Sequence, residues 1–187
     1  MDAGVREISL LISFRNITTM IKRLEITIAN TITCIQDAVL CLTGESAVRT
    51  MGLSDTNREE YYNYLQASDL LHQADLYLAK SAEHARSIGG SIPGETSLDL
   101  SDGTMTLDKF GNIIYLGRFE TGTISMVKRI TGFLEITWKT ESDDILITLE
   151  SRGRMYLETS RKKRMYYPDA TIFTEDESGR KYIETSE

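Results

Sequence analysis

The chain is poor in proline, cysteine, histidine and tryptophan, with 2, 2, 2 and 1 of them in 187 residues. Each scarcity excludes something. With so few prolines and only 13 glycines, collagen-like and proline-rich disordered chains are ruled out. No run of 20 apolar residues is free of charge, so no transmembrane span is expected. The most apolar stretch, 24–42, carries Glu25 and Asp37, and two acids at depth make insertion costly.

Cys34 and Cys41 are too few for a disulfide framework. On one helix they sit about 10 Å apart along the axis, past the roughly 7 Å limit for bridging two Cα atoms. They are expected to be buried thiols in a reducing compartment. The start, MDAGVREISLL, has neither a basic region nor a small-residue cleavage site. It is therefore not expected to act as a secretory signal, and the expected location is the cytoplasm or a virion.

Basic charge is also in deficit. The net charge is −7, and residues 1–90 (8 basic, 11 acidic) and 91–187 (13 basic, 17 acidic) share the acidity evenly. Such a chain lacks the electrostatic footprint of a general nucleic-acid binder.

What is present divides near residue 90, where Gly89, Gly90, Pro93 and Gly94 form a break no helix crosses. Two regions follow: a helical hairpin over 1–90 and an antiparallel β-rich domain over 91–187. In the first, Leu10, Phe14, Ile17, Ile21, Leu24, Ile28, Thr31, Ile35, Ala38 and Leu42 keep a strict 4,3 spacing, a heptad seam. The flanks are apolar as well, with Leu11, Met20, Ile32, Cys34, Val39 and Cys41, and even Ile12, Ile26 and Leu40 on the outer side. A helix apolar over most of its circumference must be surrounded on several sides.

The second helix begins at an N-cap on Ser54 or Asp55 and ends at Gly89. Its seam is narrow: Tyr64, Ala67, Leu71, Ala74, Leu78, Ser81, Ala85 and Ile88. Residues 1–88 read as an αα-hairpin with helices of about 35 and about 32 residues.

Past residue 95 the period becomes two, as in Leu134, Ile136, Trp138 and in Ile145, Ile147, Leu149. Candidate strands are 104–108, 112–119, 123–130, 134–139, 144–150, 153–159, 163–167, 170–175 and 180–185. Their spacing leaves no room for crossover helices, so the sheet is an antiparallel meander: a sandwich, a barrel, or a sheet intertwined with copies of itself. The fold class is α+β.

Candidate chemistry is thin. His72 and His84 share no helical face, there is no HExxH or CxxC, and GxSxG, Walker A and GxGxxG motifs are missing. No cofactor or metal is expected. The adjacent acids Asp143-Asp144 and Glu175-Asp176-Glu177 fall at hairpin tips, where acids serve turns. A glycan hydrolase working through Asp143, Asp144 or Asp176 is the minor alternative. One cluster stands out: Arg152, Arg154, Arg161, Lys162, Lys163 and Arg164, interleaved with tyrosines. It reads either as a contact for an acidic partner or as solvated turns that protect sheet edges.

The expectation is thus a non-enzymatic structural or assembly protein with a β-rich binding surface. Its oligomer interface is Phe14, Ile17, Ile21, Leu24, Ile28, Ile35 and Leu42. Mixed Ile/Leu seams with apolar flanks point to a trimer in contact with other structural proteins. The layout is similar to that of many virion and tail-fibre components. The alternative is an intracellular adaptor whose helices pack on its own sheet and whose 152–164 cluster recognises an acidic partner.

Overall fold

A computed structural model of the chain describes residues 3–43, 56–89, 95–150, 153–169 and 171–185. Helix α1 spans Ala3–Thr43 and helix α2 spans Thr56–Gly89. Ten strands follow: β1 Thr96–Leu100, β2 Gly103–Leu107, β3 Ile113–Phe119, β4 Gly122–Lys128, β5 Leu134–Thr140, β6 Asp144–Leu149, β7 Met155–Glu158, β8 Lys163–Tyr166, β9 Thr171–Glu175 and β10 Lys181–Thr185. They lie in one antiparallel sheet in sequence order, so the α+β meander is as expected. The sheet is open, with β1 and β10 as its edges. Of the expected strands, β1 was missing. The N-cap at Ser54 or Asp55 and the break at 90–94 fall outside the described residues.

The helical seams behave as their spacing requires. Leu24, Ile28, Thr31, Ile35, Ala38 and Leu42 are buried, as are Tyr64, Ala67, Leu71, Ala74, Leu78, Ser81 and Ala85. Small residues at every second seam position of α2 let the two backbones approach closely. The polar seam residues satisfy themselves on their own helix: Thr31 Oγ1 donates to the Thr27 carbonyl at 2.9 Å and Ser81 Oγ to the Tyr77 carbonyl at 2.8 Å.

The hairpin crosses the strands. At one end the Tyr64 ring stacks on Tyr166 of β8 at 5.1 Å, and its hydroxyl donates to the Gly153 carbonyl at 3.3 Å. Farther along α2, Asp75 pairs with Lys128 of β4 at 2.8 Å. Near the other edge, Glu25 Oε1 accepts hydrogen bonds from Ser101 N at 3.1 Å and Ser101 Oγ at 2.8 Å, in the β1–β2 turn. Ten strands at about 4.8 Å spacing make a sheet about 43 Å wide, and the 34 residues of α2 make a rod of about 51 Å. One helix therefore reaches across the whole sheet.

The apolar flank of α1 is covered by that sheet. Ile28 and Ile32 line a hollow of about 240 Å³ together with Leu100, Tyr115 and Phe119, and the buried residues of helices and strands form one continuous core. The chain's own sheet thus covers one side of the helix. By length and composition Ile17–Thr43 could cross a bilayer; here Leu24, Ile28, Ile32 and Ile35 join the core, while Ile17, Ile26 and Leu40 stay exposed.

Inner-face residues follow the pleat across the sheet: Leu98, Met105, Tyr115, Met126, Ile136, Ile147, Leu157, Arg164, Thr174 and Tyr182 form one cross-strand row. The Tyr115 ring lies over the paired glycines Gly103 and Gly117, so a Cβ on Gly117 would stand 2.7 Å from it. Four turns share a construction, three at one end of the sheet and Asp176–Arg180 at the other. Asp108–Asn112, Arg129–Phe133, Glu150–Arg154 and Asp176–Arg180 each close with a left-handed glycine whose N–H donates three residues back. The first three glycines, Gly111, Gly132 and Gly153, recur at an interval of 21 residues.

Candidate interaction surface

Of the basic cluster, Arg161, Lys162 and Arg164 line one hollow of about 400 Å³ together with Asp176 and Glu177. Arg154 pairs with Glu150 at 2.6 Å, and Lys163 with Glu158 at 3.7 Å. Arg164 turns inward, 6% exposed, between Leu157 and Thr174. Arg161 and Lys162 stand in the β7–β8 turn, and Arg152 lies outside the described residues.

The candidate acids hold turns. Asp143 Oδ1 accepts from Ser160 N at 3.0 Å, joining two adjacent turns. Asp176 Oδ1 accepts from Ser178 Oγ at 2.6 Å and from Ser178 N and Arg180 N at 3.0 Å each. The Ser178 side chain foremost, and then these backbone bonds, hold the Asp176 carboxyl below the usual carboxylate range. Asp144 is exposed and paired in register with Lys139. Among the described residues no group of three His, Cys, Asp or Glu side chains could hold a metal ion.

Both cysteines are free; Cys34 is buried as expected, whereas Cys41, nearer the end of α1, is only half-buried. Burial, and then the negative charge of Asp37, pushes both thiols up from their ordinary value. Alkylation by iodoacetamide at neutral pH should accordingly run several-fold slower in the folded chain than in urea. Equal rates would mean the thiols are open to solvent.

The proposed oligomer seam is divided. Leu24, Ile28, Ile35 and Leu42 are buried within one chain, Ile21 is half-buried, and Ile17 is 39% exposed. The side chain of Phe14 lies outside the described residues. This gradient has a geometric cause. Cys34 Sγ meets Gln73 Oε1 at 3.9 Å and Cys41 Sγ meets Gln66 Oε1 at 3.7 Å. In both pairs the residue numbers sum to 107, which sets Gly89, the last residue of α2, level with Thr18. The helix backbone of 3–17 thus continues about 22 Å beyond α2.

The other uncovered surface is the outer face of the sheet, which sequence patterning alone left blank. Register assigns its rows. Tyr156, Met165, Phe173 and Ile183 stand side by side on four consecutive strands, an apolar ribbon running to the β10 edge. Phe173 is 42% and Ile183 60% exposed. Beside them runs Glu158, Lys163, Glu175 and Lys181, alternating in sign from strand to strand. A shallow hollow of about 490 Å³ lies along this ribbon. A second, of about 670 Å³, lies over β1–β5 among Thr104, Leu116, Arg118, Thr123, Ser125 and Lys139.

No family model matches the chain, and no similar curated protein or solved structure is found. The physical features of the surface are therefore what bears on function.

Tyr156 links the two outer rows, its hydroxyl donating to Glu158 Oε2 at 3.0 Å. Burial first, then that bond and the charges of Glu158 and Glu175, push its phenol up to about 12. A value raised above the ordinary phenol near 10 favours the neutral form in the folded state. Its contribution to stability is whole below about pH 10 and is lost as pH rises through about 12. An alkaline titration followed by phenolate absorbance should show a component centred there, and Tyr156→Phe should delete it.

Proposed function

We propose that this chain is a non-enzymatic structural or assembly protein that self-associates through the N-terminal part of α1 and offers the outer face of its sheet to neighbouring structural proteins. The observation that supports this most is the overhang of α1. The helix continues beyond the end of its partner α2, on a stretch whose sequence keeps the seam through Leu10, Phe14 and Ile17. Among the described residues α2 ends short of this part of the seam, and a second chain would complete it. The outer face adds to this reading, since an exposed apolar ribbon is a surface that a protein neighbour would cover. A large particle such as a virion or tail fibre is the setting we infer, on layout alone.

Light scattering on the whole chain tests the reading. The mass should exceed that of one chain and rise with concentration, and Ile17→Asp should lower it. A single-chain mass at every concentration would overturn it. Recognition of an acidic partner through residues 152–164 has weaker support, since Arg154 and Lys163 are already paired and Arg164 is buried.

A further inference from the structure

The two edges of the sheet match one another. Asp176 N donates to the Arg180 carbonyl, so Arg180, Tyr182 and Glu184 exchange backbone bonds with β9. The backbone N–H and C=O of Lys181, Ile183 and Thr185 must then point to the open edge. At the opposite edge, Leu100 and Gly103 close a two-residue hairpin, so Thr96, Leu98 and Leu100 bond to β2. The backbone groups of Ser97 and Asp99 are left facing outward. An antiparallel pairing that sets Lys181 opposite Asp99 also sets Ile183 opposite Ser97. All four outward-facing residues are then in hydrogen-bonding phase.

The side chains agree with this register. Lys181 ends the alternating row Glu158, Lys163, Glu175, Lys181 at one edge, so the next position across calls for an acid. Asp99, exposed on the same outer face, begins that same row at the other edge, with only a 3.5 Å bond from Thr104 Oγ1. On the inner face the register sets Tyr182 opposite Leu98, both half-buried in one chain. Helix α1 supplies a roof. Glu25 stands over the β1–β2 turn, and the helix runs on past β1, carrying half-buried Met20 and Ile21 and exposed Ile17 above any strand added there.

We infer that β10 of one chain adds to β1 of a second copy, antiparallel, with Lys181 opposite Asp99, so that the meander continues from copy to copy. This deepens the assembly reading and rests on it: the overhang of α1 covers the joint. Because the two edges differ, the contact is head-to-tail, and it closes into a ring or extends as a filament.

Sedimentation of the full chain over a range of concentrations tests this, with Lys181→Asp and Asp99→Lys. Each reversal sets like charges opposite one another and should weaken association about tenfold. An equimolar mixture of the two variants should regain the parent behaviour, because each reversed charge then meets its opposite and the unchanged edges still match. Circular dichroism identical to the parent shows that both fold. If the single variants associate like the parent, or if mixing restores nothing, the edge joint is overturned. The assembly reading survives that result where Ile17→Asp still lowers the mass. A parent that stays a single chain overturns both.

Discussion

Leu71→Ala should destabilise the chain by about 2–5 kcal/mol, the range for emptying a fully enclosed leucine site. Leu71 is 0% exposed, in the α2 seam opposite α1. The more informative result lies in how the loss is distributed. The helices report through far-ultraviolet circular dichroism. The sheet reports through Trp138, the sole tryptophan, stacked on Phe119 at 5.7 Å. Because the buried residues of both parts form one core, the two urea midpoints should fall together. A helical midpoint that drops while the Trp138 midpoint stays would show that the hairpin and the sheet unfold separately.

Gly122→Ala should have a comparable effect for a different reason. A Cβ at Gly122 would stand 1.9 Å from the carbonyl oxygen of Lys139 on the neighbouring strand, and that oxygen belongs to the backbone, which has nowhere to turn. Moving two paired central strands apart should cost about 3 kcal/mol. Gly179→Ala is the matched control. Its φ of +82° strains any other residue, but nothing lies within 4 Å, so the loss should be about 1 kcal/mol. Denaturant midpoints measured side by side check both. Equal losses would mean that the close approach at Gly122 relaxes at little cost.

Much of this architecture was legible in the residues. The 3.5-residue seam from Leu24 to Leu42 and its small-residue counterpart from Tyr64 to Ala85 are periodic enough to locate both buried faces. Inner strand residues such as Ile136 and Ile147 alternate cleanly. The first strand escaped notice because Thr96–Leu100 directly follows the Gly/Pro break and, as an edge, leaves Leu98 and Leu100 only half-buried.

The outer face was illegible for a deeper reason. Glu158, Lys163, Glu175 and Lys181 become neighbours only through pairing register, and register depends on turn geometry rather than on periodicity. For the same reason the strand residues of the basic cluster divide between the two faces. Residues adjacent in sequence, such as Lys163 and Arg164, point to opposite faces of a strand. Periodicity also shows that the flank of α1 must be covered, without naming the cover. The sheet provides it for Ile28 and Ile32.

The meander has a consequence for how the molecule is made. Ribosomes deliver the N-terminal half first, so the αα-hairpin emerges with its sheet-facing side bare. The strands then arrive in the order in which they lie: β1 under the Glu25 end of the hairpin, β4 beneath Asp75, β8 against Tyr64. Every strand pairs with the one just synthesised, so no segment waits for a distant partner. The nascent chain can cover its helices progressively from one edge, and the interval during which each part of α1 is open to a chaperone or a second nascent copy is set by translation.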